Sequence, residues 1–156
     1  MGEGKNAMAI ELPGGDLVDP YGGAHDLSAR LLRTPLSADV SFTDDPLRML
    51  RAIRFATQLD FIIEHQSLAS ITKNSYRIKI ISKERITTEI NKILESNNPS
   101  IGFLLLEKKG LLKQILPELT ALKGIDEVEG QRHKDNFYHT LEVVDNISKH
   151  TNNLWL

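Results

Sequence analysis

The chain has 156 residues, enough for one domain or pieces of two or three. Its 40% hydrophobic and 26% charged content is ordinary for a globular protein, and its formal charge of −2 excludes a global basic field, so any nucleic-acid contact must come from a local patch. The lack of cysteine excludes disulfides and thiolate metal sites and fits a reducing cytoplasm, and no apolar run approaches the length of a membrane span.

The chain opens with β character. Asn6-Ala-Met-Ala-Ile-Glu-Leu12 and Leu17-Val18 flank Pro13-Gly14-Gly15-Asp16, a good hairpin connection. Asp19-Pro20-Tyr21-Gly22-Gly23 reads as a second turn, followed by a short helical stretch from Ala24 to Arg30. Leu31-Leu32-Arg33-Thr34 is a candidate returning strand, closed by Pro35. Asp16, Asp19 and Asp26 sit in or beside these turns, where Asp is common for its own backbone bonding.

Beyond residue 36 the pattern turns helical. Helices are predicted at about 45–58, 65–74, 83–96, 99–109 and 137–150. Ser82 is placed to cap the third, whose Ile86, Ile90, Ile93 and Leu94 form an apolar stripe. Asn98-Pro99 starts the fourth and Gly110 ends it. A short apolar helix, Leu111 to Leu116, is stopped by Pro117, and the polar stretch from Thr120 to Asp135 reads as a link between units. The terminal Leu154-Trp155-Leu156 reads as an apolar element that begins and stops, so the chain is expected to be an internal fragment.

Within Phe42-Thr-Asp-Asp-Pro-Leu-Arg-Met-Leu-Arg-Ala-Ile-Arg-Phe55, two adjacent carboxylates open a helix on which arginines recur at 48, 51 and 54. Pro46 suits the first helical position, which puts Asp45 at the N-cap and Arg48 one turn along on the same face. Such a pair is either an ordinary cap with an intrahelical ion pair or a reader of a nucleobase edge. Arg51 and Arg54 also have two readings: contact with triphosphate or RNA backbone, or internal salt bridges to Glu84 or Glu89. His139 and His150 invite a metal assignment, but a lone imidazole without a neighbouring His-Asp pair reads as a surface or core histidine.

Several stretches, in order, resemble the bacterial family of tRNA CCA-adding nucleotidyltransferases and poly(A) polymerases. Asn6-Ala-Met-Ala-Ile10 is similar to the end of one motif of the family's catalytic head. Leu17-Val-Asp-Pro-Tyr-Gly-Gly-x-x-Asp-Leu27 is similar to the next. Asp44-Asp45-x-x-Arg48, continued by Arg51-Ala-x-Arg54-Phe55, resembles its Glu-Asp-x-x-Arg motif, with Asp44 where Glu is usual. Ser82-Lys-Glu84-Arg85-Ile-x-x-Glu89-x-x-Lys92 resembles the helix that braces the nucleotide pocket. His133-Lys-Asp-x-Phe-x-His139-Thr-Leu-x-Val-x-Asp145 is similar to the opening of an HD domain. The family's Gly-Ser…Asp-x-Asp metal-binding motif has no counterpart here, and Met1-Gly-Glu-Gly-Lys5 stands where an Arg-Arg-Asp would be.

The resemblance implies a mainly α fold: a short β-hairpin remnant of a nucleotidyltransferase α/β head (1–35), a helical neck and body (36–125) and the start of an HD domain (126–156). It implies nucleotide binding by Asp45, Arg48, Arg51 and Arg54, with Asp44, Glu84, Arg85 and Glu89 in support. The implied reaction adds CMP or AMP, from CTP or ATP, to the tRNA 3′ end in the cytoplasm. It uses Mg²⁺ in the full-length enzyme through ligands missing here, so this chain alone is expected to be inactive. A poly(A) polymerase fragment and a non-catalytic RNA-binding helical module are the alternatives.

Overall fold

Ala9–Ile10 (β1) pairs antiparallel with Leu17–Val18 (β2), Ala9 opposite Val18 and Ile10 opposite Leu17, across the turn at Pro13-Gly14. The expected hairpin is thus present in short form. The computed structural model describes residues 8–10, 13–124, 127–128, 131–132 and 135–150. The readings made for 1–7, His133 and the terminal Leu-Trp-Leu lie outside the described residues.

Helix α1 (Gly23–Ser28) starts where Asp19 accepts hydrogen bonds from the Gly23 and Ala24 N–H groups at 2.7 and 2.9 Å. These two bonds, Ala24 first, hold the Asp19 carboxyl below its ordinary range. Asp19 is therefore a capping aspartate, as its turn position suggests. Leu31–Leu32 (β3) is a strand as expected, but its partner is a parallel strand, Ile62–Ile63 (β4), that alternation could not reveal in so short a run.

The body begins with α2 (Ala38–Asp44), a helix absent from the sequence reading. It is followed by α3 (Leu47–Leu59), α4 (His65–Asn74), a 3₁₀ turn (Ser75–Ile80), α5 (Lys83–Leu94) and α6 (Pro99–Lys108). Pro117 stops α7 (Leu112–Ile115) but also opens α8 (Pro117–Ala121), since a proline at the first helical position sacrifices no bond. Within the expected link, Glu127–Val128 (β5) pairs antiparallel with Gln131–Arg132 (β6), and α9 (Asn136–Ser148) follows.

Helix α3 is the central element and packs on both α5 and α6. Its Leu47, Met49, Leu50, Ile53, Ala56 and Thr57 recur at helical spacing and are buried, while Arg48, Arg51 and Phe55 face outward. At the crossing, Gly102 of α6 admits no side chain: a Cβ there would stand 2.6 Å from Ile93 Cγ2 and 2.8 Å from Thr57 Oγ1. Helix α9 packs on α6 and buries Phe137 and Leu141 in the same core.

Caps differ from expectation in who makes them. Ser82 and Asn98 occupy the N-cap positions of α5 and α6, yet neither side chain caps its helix. In α6 the free Ser100 N–H donates instead to Asp145 Oδ1 of α9, at 2.9 Å.

Helices α2 and α4 are joined by Asp39, which accepts from Lys73 Nζ at 2.6 Å, Asn74 Nδ2 at 3.2 Å and the Ser70 hydroxyl. The Lys73 and Ser70 bonds, in that order, hold the Asp39 carboxyl below its ordinary value. A lowered folded-state value means stability that is complete above the unfolded carboxylate value, about 3.9, and lost as pH falls through the lower folded value. Wild type and Asp39→Asn should therefore differ in urea midpoint by a constant amount from neutrality to about pH 4 and converge below it. A gap that stays constant to the acid limit would contradict this.

Candidate functional site

The two adjacent carboxylates do not both open one helix, a correction to the sequence reading: Asp44 closes α2 and Asp45 stands between α2 and α3. Asp44 is the last residue of α2 and is exposed, with no acidic–basic pair within 4 Å among the described residues. Asp45 is extended (φ −139°, ψ 95°) between the two helices, and its Oδ1 accepts from the Leu47 N–H at 3.2 Å; the N-cap position of α3 is Pro46, one residue later than expected. The first turn of α3 is tight: the Arg48 N–H bonds to the Asp45 carbonyl at 3.0 Å and the Met49 N–H to the Pro46 carbonyl at 3.1 Å.

The Asp45 carboxylate is half-buried, and its Oδ2 lies 3.4 Å from Arg85 Nη2, not against Arg48. Arg85, from the first turn of α5, is thus its side-chain partner. Arg48 is exposed and has no acidic partner within 4 Å among the described residues. The carboxylate does bond the first turn of α3, from one residue before the N-cap, but the intrahelical ion pair with Arg48 is not formed.

Of the two readings left open for Arg51 and Arg54, the internal one describes the geometry. Arg51 Nε lies 3.2 Å from Glu89 Oε1 and Arg54 Nη1 lies 3.0 Å from Glu89 Oε2. Glu89 is 3% exposed and Arg54 is 9% exposed, while Arg51 is open on one side. Glu84 takes neither arginine. It stays at the start of its own helix, where its backbone N–H and then the Ser82 hydroxyl hold its carboxyl below the ordinary range. Gln58 Nε2 donates to the Lys92 carbonyl at 3.0 Å, a further tie between α3 and α5.

Arg48 and Arg51 line one side of a cavity of about 240 Å³, with Arg33, Thr34, Phe42 and Ser67 among the other walls. Arg33 is held there by Asp26 at 2.5 Å and by the Tyr21 carbonyl at 3.2 Å. In the sequence Arg33 reads only as part of the candidate strand Leu31 to Thr34. Arg77 was missed altogether: its Nη2 donates to the Thr43 carbonyl at 3.1 Å, in the last turn of α2, where a cation is favourable. A backbone acceptor leaves no trace in sequence, so no pattern could have pointed to it.

His139 is exposed, 3.8 Å from Glu142 Oε2, and His150 is exposed. Among the described residues no three His, Asp or Glu side chains gather closely enough to hold a metal ion. These residues do not fit the magnesium site that the family resemblance implies.

Residues 60–123 match the family model described as the probable RNA and SrmB-binding site of polymerase A. The multifunctional CCA protein of Haemophilus influenzae (strain PittGG) is 36% identical over 154 residues, covering 95% of this chain and 36% of that protein. The CCA-adding enzyme of Blochmanniella floridana is 37% identical over 156 residues, covering 96% and 36%. The crystal structure of the Bacillus stearothermophilus CCA-adding enzyme in complex with CTP superposes with a TM-score of 0.65 at 35% identity, over 68% of this chain and 27% of that one. The chain belongs to the family of tRNA CCA-adding nucleotidyltransferases and poly(A) polymerases. A second family member, the Thermotoga maritima CCA-adding enzyme complexed with tRNA, superposes with a TM-score of 0.67 at 34% identity, over 72% and 28%. The chain spans little more than a third of the length of the CCA-adding relatives it matches.

Proposed function

We propose that this chain carries the base-selecting helix and the RNA-binding body of a tRNA nucleotidyltransferase that adds CMP and AMP, from CTP and ATP, to tRNA 3′ ends. The observation that carries the reading is the start of α3. There the Asp45 carboxylate is oriented by the Leu47 N–H and Arg85, and Arg48 stands one turn along, exposed and without an acidic partner among the described residues.

Adenine and cytosine each present an exocyclic amine beside an unprotonated ring nitrogen; guanine and uracil reverse that polarity. An ionised carboxylate only accepts and a guanidinium only donates. Asp45 would take the amine hydrogen and Arg48 would donate to the ring nitrogen, two charge-assisted bonds. Against G or U the carboxylate would face a carbonyl and Arg48 an N–H. Glu89 holds the buried Arg54 through one oxygen and, through the other, the exposed Arg51, which lines the same cavity as Arg48. Asp44 has no role in this reading.

The described residues gather no carboxylate cluster for a metal ion, and this chain by itself is proposed to be inactive in transfer. No helix among the described residues is long and apolar enough to cross a membrane, and a role on tRNA would place the protein in the cytoplasm.

The test is a titration of the chain with ATP, CTP, GTP and UTP. Binding of ATP and CTP at least about tenfold tighter than GTP and UTP is the expected result. Preference for ATP alone would favour the poly(A) polymerase reading, which the matched polymerase A segment supports. Binding of tRNA with no base preference among the nucleotides would leave a non-catalytic RNA-binding module.

A further inference from the structure

On the side of α5 opposite Glu89, a groove of about 550 Å³ runs between α5, the 3₁₀ turn and α7. Lys83, Ile86, Thr87 and Ile90 share this face, whereas Arg85, Glu89 and Lys92 lie on the other, as helical spacing requires. The floor is aliphatic: Ile78 and Ile90 are buried, and Ile81, Ile86 and Ile115 are only half-covered. The apolar stripe of α5 is therefore buried at Ile90 and Ile93 but partly open at Ile86. Lys79 and Lys83 stand on the rim, exposed, and neither has a carboxylate within 4 Å among the described residues.

The lining decides what fits. Single-stranded nucleic acid is gripped by aromatic faces and arginine planes on which bases stack, and this groove has neither. Branched aliphatic walls suit aliphatic side chains, which gain by leaving water. Two unpaired ammonium groups on the rim suit carboxylates beside those side chains. We propose that the groove receives an acidic segment of a partner protein, presenting leucine-type side chains to the isoleucine floor and Asp or Glu to Lys79 and Lys83. This surface is distinct from the Asp45 face and does not depend on the base-selecting reading.

The test uses the chain labelled at its isoleucine methyl groups and three probes: a short Leu-rich peptide with Glu and Asp flanks, its Lys-flanked analogue, and single-stranded oligoadenylate. The acidic peptide is expected to shift the Ile86, Ile90 and Ile115 methyls saturably and to bind at least about tenfold tighter than the Lys-flanked analogue. Lys79→Glu with Lys83→Glu should invert that order. Thr87→Trp, which fills the groove from an exposed position, should abolish both. The proposal is overturned by equal affinity for the two peptides, by oligoadenylate shifting the same methyls, by self-association of the chain through these residues, or by no shift with any probe.

Discussion

Replacing Glu89 by alanine is expected to lower the unfolding free energy by about 3–5 kcal/mol, among the largest effects of any single change in this chain. Glu89 is the shared counter-ion of two arginines, and its side chain is nearly inaccessible. Arg51 can turn to solvent when released, but the Arg54 side chain is only 11% exposed and would stay buried and unpaired. Its Nε already lacks a hydrogen-bond partner among the described residues, so the site has little reserve. Glu89→Gln keeps an acceptor without the charge and should fall between wild type and alanine. Pairing Glu89→Leu with Arg54→Met should recover most of the loss, because removing both partners leaves no buried charge. Urea midpoints at unchanged slope are the measurement. In a chain of this size the alanine variant should melt roughly 10 °C lower. A loss below about 1 kcal/mol would mean that Arg54 finds water, and the buried-pair account would fail.

The second large effect is on nucleotide selectivity. Asp45→Ala should remove the preference for ATP and CTP over GTP and UTP, a change of about 1–3 kcal/mol or roughly tenfold to a hundredfold. The alanine variant also loses the bond from the Leu47 N–H and with it about 1 kcal/mol of helix capping. Asp45→Asn separates the two contributions. Asparagine caps as well as aspartate, yet its carboxamide can both donate and accept, so it should keep stability and admit GTP and UTP. Arg48→Ala should weaken ATP and CTP binding, and so lower the selectivity, without touching the Asp45–Leu47 bond. Unchanged selectivity in a folded Asp45→Asn protein would remove Asp45 from the reading of bases.

Much of the helical frame can be read ahead of the structure because its punctuation is local. Asn98-Pro99 and Gly110 bracket α6, and the arginine-rich stretch is helical because its apolar positions recur at the right spacing. Helix α2 escapes that reading: only seven residues long, it ends at Asp44, and it runs directly into the tight first turn of α3. The parallel strand β4 is hidden for the same reason, two residues whose partner is thirty-one positions earlier. Gly102 would look like a weak point in a helix, since glycine there costs about 1 kcal/mol relative to alanine. Only the crossing with Ile93 and Thr57 explains it. At the site, the residue types and their order were visible, but the pairing was not. Whether Arg85 or Arg48 meets Asp45, and whether Glu84 or Glu89 meets Arg54, depends on how α5 is rotated against α3.

The bond between the Ser100 N–H and Asp145 makes the start of one helix a clasp for another forty-five residues away. Ser100 lies in the first turn of α6, where an amide has no acceptor within its own helix, so the carboxylate that satisfies it comes from α9. The same amide hydrogen is held in a hydrogen bond only while α9 is seated. The exchange rate of that single proton therefore keeps time for every departure of the last helix from the body.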